Sequence, residues 1–298
     1  MVTSAASAIV EREPQRGVTV VISARDEALH IGRCIESARP LGRTFVVDSG
    51  SADDTIAIAR ARGGEVVEHP WEGYAAQKNW ALDNLPIATE WVLLLDADEY
   101  LTPALRAEIA AAIASEGTAG FYVPRMNVFL RRPLRHAWWY PDYQLRLLRL
   151  GKGRFEDRAV HEHVLVDGPE DFLRDPLMHE NLKGIDAFVR RQLRYAALEA
   201  DEIRRARAGG RANQREGRFL GTWPERRRAL KTRVWYRLPG RPVIRFLWMY
   251  VVKRGFLDGR QGLVYSQLLA FHEAVINAML LEQELARSVD RDGREARD

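Results

Sequence analysis

Two aspartates one residue apart, Asp96 and Asp98, close the apolar run Trp91–Leu95. Carboxylates are hard oxygen donors. One or two of them, together with substrate phosphates, are the usual way a protein holds Mg²⁺ or Mn²⁺. A strand ending in an acidic turn would look the same, because short motifs recur by chance. Position and company separate the two readings. Three other short segments carry related chemistry: Ser23-Ala-Arg-Asp-Glu27, Asp48-Ser-Gly-Ser-Ala-Asp-Asp-Thr55 and Gln77-Lys78-Asn79. They supply hydroxyls, carboxylates and one compact cation of the kind that meets phosphate.

Each of these segments follows or sits on an element able to aim it. Apolar runs alternate with helical patterns through the first half of the chain, the signature of βαβ units and an α/β fold with a mostly parallel sheet. Strands are expected at 18–23, 44–48, 65–68 and 91–96, and helices at 28–38, 53–62, 73–84 and 103–114. The run Trp91–Leu95 has no alternation, as suits a strand covered on both faces. In open α/β sheets ligands bind beyond the carboxyl ends of the strands, so the tips at Ser23, Asp48 and Asp96 are expected around one crevice. Beyond Gly120 the pattern changes, with strands expected at 121–124, 144–150 and 164–166. A charged helix is expected at 185–208, and closing helices at 243–255 and 263–286.

Together these residues resemble the family 2 glycosyltransferases of GT-A fold, and within them the lipopolysaccharide core β-1,4-glucosyltransferase (WaaE-like) group. The resemblance runs from about Val18 to Glu282. It includes Gln144-Leu-Arg-Leu-Leu-Arg149, Val160-His-Glu162 and Arg254-Gly-Phe-Leu-Asp-Gly259. It implies that Ser23, Arg25 and Glu27 line a nucleotide pocket, that Asp48 meets the base, and that Ser51 and Asp53 frame the same pocket. Lys78 would approach the diphosphate, Asp96 would face the ribose, and Asp98 would hold a divalent cation, Mn²⁺ or Mg²⁺. Many relatives have asparagine where this chain has Asp26.

The implied reaction is an inverting transfer from a UDP-sugar, UDP-glucose in this group, to a glycolipid or polysaccharide of the cell envelope. Its chemistry matches the residue types. A cation stabilises the diphosphate leaving group, and the acceptor hydroxyl needs a base. Candidates for that base are Glu162, Glu99 and Asp142, with Glu162 preferred. His161 or His179 could complete a metal shell, although a structural role suits a lone histidine such as His179 better. Arg146 and Arg149 could clamp phosphate or form the outer face of a strand. Trp138-Trp-Tyr140 could stack on a sugar or lie in the core.

The whole chain sets outer bounds. Its 298 residues are 46% hydrophobic and 29% charged, with net charge +4. The one cysteine, Cys34, excludes an intrachain disulfide and a cysteine-based zinc site. Residues 1–16 read as a disordered leader, 17–184 as the catalytic domain, 185–288 as a helical extension and 289–298 as a frayed tail. The most apolar stretch, Leu263 to Leu281, is broken by Gln267, His272, Glu273 and Asn277, which favours a packed or surface-lying helix over a spanning one.

Between Arg204 and Arg241 thirteen basic side chains face only Glu216 and Glu225. Phe219, Trp223, Trp235 and Tyr236 interleave with them, and the apolar stretch Pro242–Tyr250 follows. A basic, mobile segment at about 205–240 beside a tryptophan-bearing helix suits an anionic membrane surface. The expected location is therefore cytoplasmic and peripheral on the inner face of the plasma membrane. Two other classes fit less well. A sugar nucleotidyltransferase would show a glycine-rich phosphate loop after strand one. A nucleic-acid-binding role for the arginines would leave the strand-end carboxylates unexplained, so no nucleic-acid partner is expected.

Overall fold

The computed structural model describes residues 15–156, 164–207, 235, 238 and 240–295. They divide into two compact units. One comprises the described residues to Asn127 together with Pro141–Leu182, and the other comprises Val128–Tyr140 with the described residues from Lys183 onward.

The first unit opens with β1 (Gln15–Ala24), α1 (Ile31–Ala38), β2 (Thr44–Asp48), α2 (Thr55–Ala61), β3 (Glu65–Glu68), α3 (Tyr74–Asn84) and β4 (Thr89–Asp96). β1 lies between β2 and β4, parallel to both, and β3 is parallel to β2. Successive side chains of a strand point to opposite faces. Trp91, Leu93 and Leu95 accordingly join one core cluster, and Val92 and Leu94 join another. Two covered faces are why the run shows no alternation. α1 buries Ile31, Cys34, Ile35 and Ala38, an i, i+3, i+4, i+7 stripe, against the first cluster. β1 starts at Gln15, paired with Thr89, so the end of the expected leader is strand.

The chain continues with β5 (Glu99–Leu101), α4 (Pro103–Ala112), β6 (Gly120–Phe129), β7 (Arg132–Pro133) and β8 (Asp142–Arg149). Next come β9 (Gly153–Phe155), β10 (Val164–Val166), β11 (Glu170–Phe172) and β12 (Leu177–Glu180). At the start of α4 Thr102 accepts the Leu105 amide at 3.1 Å and Pro103 follows, which explains the sharp onset. The sheet order is β3-β2-β1-β4-β8-β6-β12-β5, with β8 antiparallel to β4 and β6. β5, β7, β9, β11 and β12 were not expected from the sequence. The β12–β5 pair is antiparallel and sets His179 opposite Glu99.

In the second unit α5 (Gly184–Arg207) presents Ala196, Ala200 and Ile203 to Ile276 and Leu280 of the last helix, here α7 (Gly259–Glu295). Phe129, Leu134, Ala137 and Trp138 pack with Phe188 and Tyr265. This aromatic packing is why Val128–Tyr140, read from sequence as part of the 17–184 domain, clusters with the C-terminal unit. The helix expected at 243–255 is three pieces: α6 (Arg241–Leu247), a π turn (Trp248–Val252) and a 3₁₀ turn (Gly255–Asp258). α7 runs on to Glu295, past the expected fraying point at Ser288. By length and composition the helix within residues 255–286 could cross a bilayer, its most apolar 18-residue window having mean hydropathy 1.2. Tyr265, Ser266, Glu273, Ile276 and Leu280 within them are buried.

Candidate active site

The register of the parallel strands brings the three tips flush. Ser23 pairs with Asp96 across β1 and β4, and Ala24 pairs with Asp48 across β1 and β2. A shared edge is what the crevice reading requires.

The first tip is tied to the second by hydrogen bonds. The Asp26 amide donates to Ser51 Oγ at 2.9 Å, and Asp26 Oδ1 accepts the Ala52 amide at 2.8 Å. The Glu27 amide donates to Thr55 Oγ1 at 2.7 Å, and the Ala28 amide to Asp53 Oδ2 at 3.1 Å. Asp26 has φ +54°. Among residues with a side chain, aspartate and asparagine adopt this region most readily. Aspartate and asparagine are equivalent here for a backbone reason, since either side chain offers an oxygen to the Ala52 amide.

Asp48, expected to meet the base, is fully buried. Its Oδ1 accepts the Gly50 and Ser51 amides at 2.9 and 2.8 Å, and its Oδ2 accepts Ser51 Oγ–H at 2.5 Å. It shapes the loop rather than standing open. Asp53 and Ser51 are likewise bonded within this loop network. Gln77 Nε2 donates to Ser49 Oγ at 2.9 Å, which adds α3 to the same arrangement.

His30, which sequence reasoning passed over, is buried behind Glu27. The Leu182 amide donates to its Nε2 at 2.7 Å, so the ring proton resides on Nδ1 and is given to Glu27 Oε2 at 2.5 Å. The Glu27 carboxylate is therefore oriented by a histidine whose tautomer is set by the chain just beyond β12.

At the fourth tip, Arg146 Nη2 donates to Asp96 Oδ2 at 2.5 Å and to Glu99 Oε1 at 2.6 Å. Lys78 Nζ lies 3.8 Å from Asp96 Oδ1 and 5.2 Å from the Phe155 ring centroid. Burial works against the Asp96 charge, but the Arg146 and Lys78 charges and the Arg146 hydrogen bond outweigh it and hold the carboxyl well below the usual range. Burial and the neighbouring Asp96 push Glu99 up, against the pull of Arg146. Arg146 is therefore not the open phosphate clamp considered from sequence. It is buried and committed to two carboxylates. Arg149 stacks over Trp91 at 4.8 Å and donates to the Thr118 and Ser115 carbonyls.

His179 Nε2 is 3.1 Å from Asp98 Oδ2, and His179 Nδ1 is 2.6 Å from Asn127 Oδ1. Burial disfavours charge on both Asp98 and His179. Their mutual hydrogen bond and attraction dominate, lowering the pKa of Asp98 and raising that of His179. The buried Asn127 Nδ2 has no hydrogen-bond partner among the described residues. His179 is thus more than the structural histidine favoured from sequence, because β12 delivers it to the Asp-x-Asp motif.

Of the candidate bases, Glu162 lies outside the described residues, with His161 and His163. Glu99 Oε2 accepts the Asp96 amide at 3.1 Å, and the residue is buried. Asp142 is engaged by Arg125 at 2.6 Å. The tryptophan pair divides: Trp138 is in the core of the second unit, and Trp139 lies under Lys253 at 4.5 Å. Of the expected basic, aromatic segment, residues 205–207 end α5, and beyond them only Trp235 and Leu238 fall among the described residues before Gly240; Phe219, Trp223 and Tyr236 lie outside them.

Against known proteins, residues 19–164 match the glycosyl transferase family 2 model. The chain carries a glycosyl transferase family 2 domain. It is 29% identical over 278 residues to the lipopolysaccharide core biosynthesis glycosyltransferase LpsC of Rhizobium meliloti, covering 86% of this chain and 92% of that one. It is 26% identical to an uncharacterized glycosyltransferase of Rickettsia felis, covering 90% of each. Among solved structures, Staphylococcus aureus TarS 1–349 in complex with UDP-GlcNAc is 13% identical with a TM-score of 0.42, covering 85% of this chain and 90% of that one. The glycosyltransferase's own sheet, parallel from β3 to β4, antiparallel from β4 through β8 to β6 and flanked by helices, is the GT-A-type arrangement, with helical elements at the C-terminal end of the chain.

Proposed function

We propose that this glycosyltransferase moves glucose from UDP-glucose, with inversion and with a divalent cation, to a saccharide on a cell-envelope glycolipid. The observation that carries the reading is the flush register of Ser23, Asp48 and Asp96, with Lys78 and Asp98 at the same edge. The name of LpsC supports a lipopolysaccharide core acceptor. The choice of glucose rests on the resemblance of the motifs, as does the placement of the enzyme on the cytoplasmic face of the membrane.

The donor set fits a cation. Asp98 and His179 converge to 3.1 Å, a carboxylate oxygen beside an imidazole nitrogen, and both atom types ligate divalent ions. Among the described residues there is no group of three or more His, Cys, Asp or Glu side chains able to hold a metal. Two protein ligands completed by substrate phosphates are then the arrangement that applies. An oxygen–nitrogen pair suits Mn²⁺ better than Mg²⁺, which prefers oxygens throughout. When bound, the cation would supply Lewis-acid stabilisation of the departing diphosphate.

The remaining roles belong to the chain. Ser23, Arg25 and Glu27 line the nucleotide pocket, with Glu27 aimed by His30. Asp48, Ser51 and Asp53 hold the facing loop in shape. Lys78 adds positive charge on the diphosphate side, and Asp96, kept ionised by Arg146, faces the ribose. Glu162 takes the proton from the acceptor hydroxyl. A thermal-shift panel of nucleotide sugars with Mn²⁺ tests the donor, because a ligand that binds only the folded state raises Tm. UDP-glucose is expected to give the largest shift. A larger shift with another donor would replace glucose, and no shift with any would remove the nucleotide-sugar site.

A further inference from the structure

The second unit carries an apolar surface that its own core does not use. Val243, Leu247, Trp248, Val251, Val252 and Leu257 are 43 to 62% exposed. They fall on α6, the π turn and the 3₁₀ turn, within fifteen residues counted from Val243 to Leu257. Their alignment has a geometric cause. On an α-helix, residues four apart advance by about 40° around the axis. The row Val243, Leu247, Val251 would therefore drift away from one face. The π turn, closed by the Lys253 amide on the Trp248 carbonyl at 2.8 Å, is wider and holds more residues per turn. It turns the following residues back, so the row Trp248, Val252 stays beside the first.

Charge decides what such a face fits. From Arg241 to Arg260 the basic residues are Arg241, which is buried beside Glu273, and Arg245, Lys253, Arg254 and Arg260, which reach the surface; the one acid is Asp258. Asp258 is 3% exposed, and its carboxylate accepts the amides of Arg135, His136 and Ala137 at 3.2, 2.9 and 2.7 Å. The rim of the surface is therefore uniformly basic. A second copy of this chain would set like charges against each other across a two-fold contact. A nucleic acid would leave valines and leucines without partners, because bases stack on aromatic planes. A bilayer with anionic headgroups satisfies both features: apolar side chains enter the acyl boundary while the cations remain at headgroup level.

We propose that Val243–Leu257 is the surface on which this enzyme docks to an anionic lipid bilayer. The proposal draws its purpose from the glycolipid-acceptor reading, while its evidence is the surface alone. The single cysteine, Cys34, is buried, so Val252→Cys in the full chain provides one reactive thiol for an environment-sensitive fluorophore. Vesicles containing phosphatidylglycerol, without any glycolipid, are expected to shift its emission to the blue, and phosphatidylcholine vesicles to do so weakly. In flotation with phosphatidylglycerol vesicles the unlabelled Val251→Glu variant is expected to bind about tenfold less well than wild type. Vesicle binding with no blue shift, or unchanged flotation of the variant, would overturn the proposal. So would a blue shift without vesicles that grows with protein concentration, which would mark a contact between copies. Failure of the glycolipid reading would look different: intact vesicle docking, with no transfer to a detergent-dispersed glycolipid.

Discussion

His179 reaches Asp98 across the β12–β5 pair, Nε2 to Oδ2 at 3.1 Å, while its other nitrogen is fixed by Asn127. A metal-binding imidazole usually has its second nitrogen held by a neighbour, and removing that neighbour typically costs about ten- to a hundredfold in metal affinity. Asn127→Ala is accordingly expected to raise the Mn²⁺ concentration needed for half-maximal turnover by about that factor. His179→Ala, which removes the ligand itself, is expected to raise it more. Metal titration of activity, with Tm as a folding control, reads both, and unchanged titrations would remove His179 from the metal site.

Arg146 is the shared counter-charge of Asp96 and Glu99. Arg146→Leu leaves a buried carboxylate uncompensated, a change that usually costs about 3–5 kcal/mol. A large fall in Tm is expected, with partial recovery when Glu99→Gln is added. A variant as stable as wild type would mean that the carboxylates do not depend on this guanidinium.

His30 acts through Glu27 rather than on the donor itself. His30→Leu removes the group that orients the carboxylate and leaves the Leu182 amide without its acceptor. KM for the nucleotide sugar is expected to rise several-fold with kcat less affected, and His30→Asn to recover part of the loss. Equal loss in kcat and KM, or no rescue, would assign His30 a purely structural place.

Asp258 gives the second unit a pH dependence. Burial raises its pKa, but the bonds from the Ala137, His136 and Arg135 amides and the His136 ring outweigh burial, and the net shift is downward. Its folded pKa thus lies below the unfolded value of about 3.9. The stabilisation is fully present above that value and is lost as pH falls through the folded pKa. Asp258→Ala is expected to cost about 1–3 kcal/mol at neutral pH through unpaired amides. In melting curves between neutral pH and about pH 3, the gap between wild type and Asp258→Asn should narrow towards acid. A constant gap would contradict the assignment.

The strand tips were legible because β1, β2 and β4 announce themselves as apolar runs that stop at a polar residue, and parallel pairing then fixes their common edge. His179 was not legible as a neighbour of Asp98. The pair is 81 residues apart, and β5 and β12 are three and four residues long, too short to show a period. Arg146 misled in a different way. On β8 it alternates with Leu145 and Leu147 like an outward-facing residue, yet its face meets Asp96 and Glu99 instead of solvent. The aromatic run at Trp138 reads alike for a sugar platform and a core, and only its packing on Tyr265 separates them. In the last connection the left-handed bend falls on Arg254 at φ +60°. Gly255 is needed for close approach, since a Cβ there would lie 2.7 Å from the Met249 carbonyl oxygen.

The most direct test of the crevice is metal-dependent turnover of labelled UDP-glucose by wild type and Asp98→Ala, with Mn²⁺ supplied and then removed by chelation. Wild-type turnover should require the cation, and the variant should fall by about a hundredfold or more while keeping its Tm. Equal, metal-dependent turnover in the two proteins would contradict a site built on Asp98.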